Sequence, residues 1–143
     1  MTIKRRPQYV FLVVALLVSA CATRQTAEAF PGSPVDWTRE ELFLGLNKPD
    51  GSQVTNSEFE AFITREVSSR LCCFTVLQTT GYYTSNPGAP AVQEPGRVLM
   101  VMYDDNQTDI AAKLSAIAQS YVRTFSQESV LRVAARVRVN FVK

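Results

Sequence analysis

Histidine is absent from all 143 residues. That removes imidazole general bases, Ser-His and Cys-His nucleophile pairs, and His-ligated zinc or haem. Charge of one sign is lacking too, with 15 basic side chains against 13 acidic and a formal net charge of +2. Three of the basic residues, Lys4, Arg5 and Arg6, lie in a leader whose pattern marks it for removal. Without residues 1–20 the balance becomes 12 against 13, or −1. Such a chain has no broad electropositive footprint, and no nucleic-acid partner is expected. Long apolar runs are missing as well. The longest, at residues 10–20, would make a helix of about 16 Å against a hydrocarbon core of about 30 Å, too short for a permanent span.

What is present begins with an address. The basic end, the apolar run and the small residues closing it have the layout of a bacterial secretory signal. Leu17-Val18-Ser19-Ala20-Cys21 resembles the lipobox of bacterial lipoproteins, in which the cysteine is lipidated and becomes the new N-terminus. The resemblance implies a lipid anchor at Cys21, carrying acyl chains such as palmitate, that binds the membrane. Ala22, where aspartate would mark inner-membrane retention, implies an outer-membrane lipoprotein facing the periplasm. An ordinary secretory signal is the alternative. Residues 22–36 hold turn formers and no sustained apolar period, so they read as a flexible tether.

From Trp37 onward the composition, 46% hydrophobic and 20% charged over the whole chain, suits one globular domain with its own core. Residues 41–47 alternate Leu42, Leu44 and Leu46 against Phe43, Gly45 and Asn47, the period of a strand. Thr55 with Glu58 forms a capping box, and Val54 with Phe59 a hydrophobic staple, so a helix starts there. Its buried stripe is Phe59, Phe62, Ile63, Val67 and Leu71. Residues 74–83 read as a second strand, followed by a loop over 86–96 that is long for a hairpin. Residues 97–103 are apolar at both parities and predict a central strand. Ile110, Leu114, Ile117, Ala118, Tyr121 and Phe125 mark a second helix after a cap at Thr108. The last strand, 130–142, sets Leu131, Val133, Ala135, Val137, Val139 and Phe141 on one face and Arg132, Arg136, Arg138 and Asn140 on the other. The order β-α-β-β-α-β is the α+β ferredoxin-like plan, an antiparallel sheet with two helices on one face.

In that plan the second sheet face is bare, and it is where chemistry is sought. Phe43 and one parity of the third strand would floor it, Arg132, Arg136 and Arg138 would edge it, and Tyr82 or Tyr83 and Glu94 would stand nearby. Apolar floor beside guanidinium groups suits a small anionic, partly hydrophobic ligand. The same pattern also describes a homodimer interface, or an edge strand carrying ordinary solvated charge. Cys72 and Cys73 are adjacent, too close for an unstrained bridge. They read first as small apolar side chains packed between the first helix and the second strand. An intermolecular link and a redox or soft-metal role are the alternatives, the last incomplete without another Cys or His. Asp104 and Asp105 read as a strand-end turn, with a cation site as the alternative. Glu94 and Glu128 are carboxylates that no spacing singles out. No cofactor and no metal ligand set is expected.

The chain from Trp37 to Phe141 resembles a bacterial domain-of-unknown-function family, number 3574. The resemblance rests on Glu41-Leu42-Phe43-Leu44-Gly45-Leu46, Gly51-Ser52 with Val54 and Phe59, Phe74-Thr75-Val76, Gly81, Glu94, and Gln127-Glu128-Ser129-Val130-Leu131-Arg132. It implies no activity. Three readings stand: a lipid-anchored domain that binds or assembles, a small enzyme of the dimeric ferredoxin-like type with a pocket on the open face, and a scaffold that binds an envelope protein through a sheet edge.

Overall fold

Thr55 starts the first helix with both halves of its box in place: its hydroxyl accepts from the Glu58 amide at 3.2 Å, and Glu58 Oε2 accepts from the Thr55 amide at 2.7 Å. The computed structural model describes residues 35–84 and 86–142. Within them the elements are β1 (Val35–Gly45), α1 (Asn56–Phe62, continued as a π-turn over Ile63–Val67), β2 (Thr75–Tyr83), β3 (Val92–Tyr103), α2 (Ile110–Phe125) and β4 (Leu131–Val139). The sheet is antiparallel, in the order β2-β3-β1-β4. This is the ferredoxin-like arrangement expected. The signal segment, Cys21 and the tether up to residue 34 lie outside the described residues. No described helix is long and apolar enough to cross a membrane.

The core is the helix side of the sheet. Leu42, Leu44 and Leu99 meet Phe59, Phe62 and Val67 of the first helix and Leu114, Ile117, Tyr121 and Phe125 of the second. Phe62, Tyr121 and Phe125 form a three-ring cluster with centroids 4.8 to 5.7 Å apart, edge-to-face and tilted geometries that aromatic quadrupoles favour. After Phe62 the apolar stripe advances by four residues at a time, through Ile63, Val67 and Leu71. The backbone matches it with a wider turn, Ser68 N–H donating to the Ile63 carbonyl at 2.9 Å.

Several boundaries differ from the sequence expectation. β1 begins at Val35, because the complementary residues of β4 reach as far as Val139 and pair with it. β3 begins at Val92, so the long loop expected over 86–96 contracts to residues 84–91. Pro95 hides this extension. Its carbonyl accepts from Leu46 N–H at 3.0 Å on the β1 side, where β1 has already ended at the Gly45 to Gly96 pair, so its missing N–H forfeits no ladder bond. Helix α2 is capped at Asp109 rather than Thr108, without a side-chain cap bond. It ends on Ser126, in the left-handed region at φ 53°.

The largest correction concerns β4. Its pairing sets Arg132 opposite Leu42, Arg136 opposite Thr38 and Arg138 opposite Asp36, all on the helix side. Leu131, Val133, Ala135, Val137 and Val139 therefore face the open side. Alternation shows which residues share a face but not which face it is, and a shift of one residue exchanges the two. A buried acid decides the matter. Glu40 shares the face of Leu42 and Leu44, is 3% exposed, and takes its ion pair from Arg132.

Candidate functional site

On the open face, the register aligns Leu77 of β2, Val98 of β3, Phe43 of β1 and Leu131 of β4 in one row across all four strands. Val98 is buried by its neighbours. Leu77, Phe43 and Leu131 keep 44%, 38% and 61% of their surface exposed, a contiguous apolar band of the kind that marks an interaction surface. The next rows on this face hold Met100 with Glu41 and Val133, then Met102 with Arg39 and Ala135. Arg39 Nε donates to Glu41 Oε1 at 2.9 Å, so this patch offers both signs of charge.

Beyond the apolar row on the other side lies a recess. Gly45 and Gly96 pair across β1 and β3, Thr79 pairs with Gly96, and Gly81 pairs with Glu94. Phe43, Thr79, Glu94 and Arg97 border a pocket of about 130 Å³. A Cβ on Gly45 at its floor would lie 2.8 Å from Glu94 Oε1 and 3.2 Å from Gln127 Oε1, so a side chain there would push these two groups aside. One carboxylate oxygen and one amide oxygen thus converge on the same point. Gln127 is held there by its Nε2, which donates to the Asn47 carbonyl at 2.8 Å, and Tyr121 O–H donates to the Gly45 carbonyl at 2.8 Å. Burial, above all, raises the Tyr121 hydroxyl well above its ordinary pKa, so it stays a neutral donor.

Of the residues singled out from sequence, Phe43, Tyr83 and Glu94 belong to the open face. Tyr83, 53% exposed, flanks the recess side on β2, while Tyr82 points the other way and is also exposed, because β2 overhangs the helices. The three arginines do not belong there. Arg132 pairs with Glu40 and donates to Ser115 Oγ at 2.6 Å. Arg136 grips Asp105 with two nitrogens, at 2.6 and 3.2 Å, and donates to Thr38 Oγ1 at 3.1 Å. The grip expected from these three arginines is therefore turned toward the helices, and the charged groups bordering the recess are the Glu94 carboxylate and the Arg97 guanidinium. Asp104 makes the expected turn, its Oδ1 accepting from Asn106 N–H at 2.9 Å.

The helix-side network has a clear electrostatic character. Burial would raise the Glu40 carboxyl, but hydrogen bonds from Arg132 and Tyr103 and the charge of Arg132 outweigh it and hold the group below its ordinary value. Tyr103, partly buried and hydrogen-bonded to Glu40, is pushed up to about 12 by desolvation and then by that carboxylate. This is a structural clasp between β1, β3 and β4. Glu40 is missed by the sequence pattern because the alternation of leucines marks a strand only from residue 41, whereas β1 begins six residues earlier at Val35 and Glu40 keeps parity with Leu42 and Leu44. Cys72 and Cys73 also differ from expectation: both are free and exposed rather than packed inside, because the chain leaves the core at Leu71 before β2 begins.

Four residues that carried the family resemblance, Gly45, Gly81, Glu94 and Gln127, meet at this recess although up to 82 positions separate them in the chain. Arg132, from the same run as Gln127, anchors β4 to β1. No curated protein matches the chain. Among solved structures it is similar to a phage SAM lyase in complex with S-methyl-5'-thioadenosine, with a TM-score of 0.53 and 19% identity, over 80% of this chain and 95% of that one. The same holds for a phage SAM lyase in the apo state, with a TM-score of 0.50 and 19% identity over 80% and 98%. These likenesses concern the fold. The family described as protein of unknown function DUF3574 matches residues 39–141, most of the described chain, and the protein belongs to it.

Proposed function

We propose that this chain is a membrane-anchored envelope lipoprotein whose folded domain is a binding module, and that the bare sheet face takes a second copy of the chain. The observation that carries the reading is the apolar row Leu77, Val98, Phe43 and Leu131, left without cover across the full width of the sheet. Arg39 and Glu41 beside it make the face electrostatically self-complementary. A two-fold pairing places one copy's positive group against the other's negative one. The lipidated Cys21 and the tether hold the domain at the membrane surface. The test uses the full chain in detergent with Cys21→Ser, compared with a Phe43→Lys, Leu131→Glu variant of it. Sedimentation should give a dimer for the first and a monomer for the second, with the same circular dichroism. A first protein that stays monomeric at every concentration defeats the reading. Separately, Cys21→Ser should leave the protein unacylated and release it from the membrane fraction of cells.

The Glu94 recess favours a second reading, a small enzyme of the dimeric ferredoxin-like type. At about 130 Å³ the recess is smaller than a ligand pocket of about 300–1,000 Å³. A second copy on the open face would roof and enlarge it. Two oxygens converging over Gly45 suit a cationic, donor-rich ligand. The fold likeness to phage SAM lyase makes SAM, whose sulfonium is such a cation, the first substrate to offer. Incubation with SAM should release S-methyl-5'-thioadenosine, and Glu94→Gln should slow this by about 100-fold or more, the scale of a single electrostatic group in an active site. No turnover, or turnover unaffected by Glu94→Gln, removes this reading and leaves the first in place.

A further inference from the structure

At the opposite end of the open face from Glu94, the sulfur atoms of the folded domain gather. The chain has three cysteines, three methionines and one tryptophan. Two of the cysteines, two of the methionines and the tryptophan line a single open pocket of about 570 Å³: Cys72, Cys73, Met100, Met102 and Trp37, with Phe74 and Thr75. The remaining Cys21 and Met1 lie in the leader. The register explains the grouping. Thr75 pairs with Met100, and the turn that carries Cys72 and Cys73 into β2 borders the same pocket as Met102. Met100 and Met102 are on β3, the strand bonded on both sides, which fixes their spacing, while the two thiols stand on the exposed turn leading into β2. Trp37, on β1, closes a further wall and also borders the adjoining recess that Cys72, Cys73 and Met102 share.

We propose that this pocket is a soft-metal site for Cu(I), with the thiolates of Cys72 and Cys73 as primary ligands and the thioethers of Met100 and Met102 completing the coordination. Ligand softness selects the metal. Thiolate and thioether sulfur prefer Cu(I), whereas carboxylate and carbonyl oxygen suit hard cations. Among the described residues no three Cys, Asp or Glu side chains gather closely enough to hold a metal ion, which argues against zinc or calcium at this place. Methionine supplies what the cysteine pair lacks. Adjacent residues close awkwardly into a disulfide because their Cα atoms are about 3.8 Å apart, against the usual 4.4 to 6.8 Å, so the pair remains available as thiols. Binding is an exchange without electron transfer: Cu(I) replaces two protons, which leave to solvent, and the thioethers add as neutral donors.

This proposal rests neither on the Glu94 recess nor on the pairing of two copies, although Met100 and Met102 share the open face proposed for that pairing. The test uses the full chain with Cys21→Ser, reduced and free of oxygen, titrated with Cu(I) against bicinchoninate. One Cu(I) per chain is expected, with X-ray absorption showing only sulfur neighbours, more than two of them. Cys72→Ser and Cys73→Ser should each abolish high-affinity uptake. Even partners outside the first coordination sphere are worth about 10- to 100-fold in metal affinity, so Met100→Leu with Met102→Leu, a volume-conserving pair, should weaken binding by about tenfold or more at unchanged circular dichroism. Affinity unaffected by the methionine pair, a two-sulfur spectrum, or Zn(II) displacing Cu(I) at equal concentration would each overturn the assignment, as would no uptake at all.

Discussion

The two faces of this sheet are built on opposite terms. Toward the helices, an apolar core admits one ionised group, Glu40, and encloses it with partners from β3 and β4. Toward the open side, aliphatic and aromatic groups are gathered into a continuous band and left in contact with water. A charge inside is tolerable where every lone pair is met, and no described buried side-chain polar atom lacks a partner. Apolar groups outside have no such internal solution. The contrast is what supports the proposal that the open side, which the described residues leave uncovered, is a binding surface.

The sharpest way to break that comparison is to truncate neighbours of β3 that face opposite ways. Leu99 is fully buried in the core and Met102 is 41% exposed on the open side. Leu99→Ala should cost about 4 kcal/mol, since a buried leucine loses both transfer energy and the packing around the cavity. Met102→Ala should cost about 1 kcal/mol, since 41% of its surface is already in water and an open face leaves no closed cavity. Urea unfolding of the two variants, at concentrations where self-association is absent, reads the difference directly. Equal losses would mean that the open face is covered.

Next in size is the enclosed ion pair. Removing one partner of a buried pair costs about 3–5 kcal/mol, and because Arg132 keeps about a third of its side chain exposed, about 2 kcal/mol is expected for Arg132→Ala. The pH dependence follows from the direction of each shift. The Glu40 carboxyl is lower folded than unfolded, so its contribution is present above the ordinary value of 4.5 and is lost as pH falls through the folded value. Tyr103 is higher folded than unfolded, so its contribution is present below 10 and is lost as pH rises from 10 through about 12. Glu40→Gln should flatten the acid limb of a stability profile and Tyr103→Phe the alkaline limb.

Much of this fold was legible because local signals agreed with the packing. The Thr55 box, the α2 stripe from Ile110 to Phe125 and the two apolar parities of β3 each correspond to a contact that exists. Less legible was whatever depends on which strand lies beside which. β4 alternates cleanly, yet its polarity is fixed by Leu42 standing opposite Arg132, a relation between residues 90 positions apart. The assumption that aliphatic residues face inward then turned the wrong side to the core. The candidate site suffered likewise. Glu94 was in view, but its floor at Gly45 and its companion Gln127 come from three separate elements, and a proline disguised the strand that carries it. The sulfur pocket was invisible for the same reason, since only the β2 to β3 pairing brings the turn of Cys72 and Cys73 to the pocket that Met100 and Met102 border.

The smallest expected effect closes the comparison on β4 itself. Arg136 is placed on the same side as Arg132, but its pair with Asp105 is exposed at both ends, 55% and 73%. Water and salt screen such a pair, and holding two mobile side chains together offsets much of the attraction. Arg136→Ala should therefore change stability little, and the change should vanish at high salt. Because the side chain points toward the helices, the variant should also leave self-association untouched, in contrast to Phe43→Lys with Leu131→Glu on the other side of the sheet. Sedimentation that shifts for Arg136→Ala as strongly as for the open-face pair would mean that association uses the strand edge, where both sides of β4 are within reach of a partner.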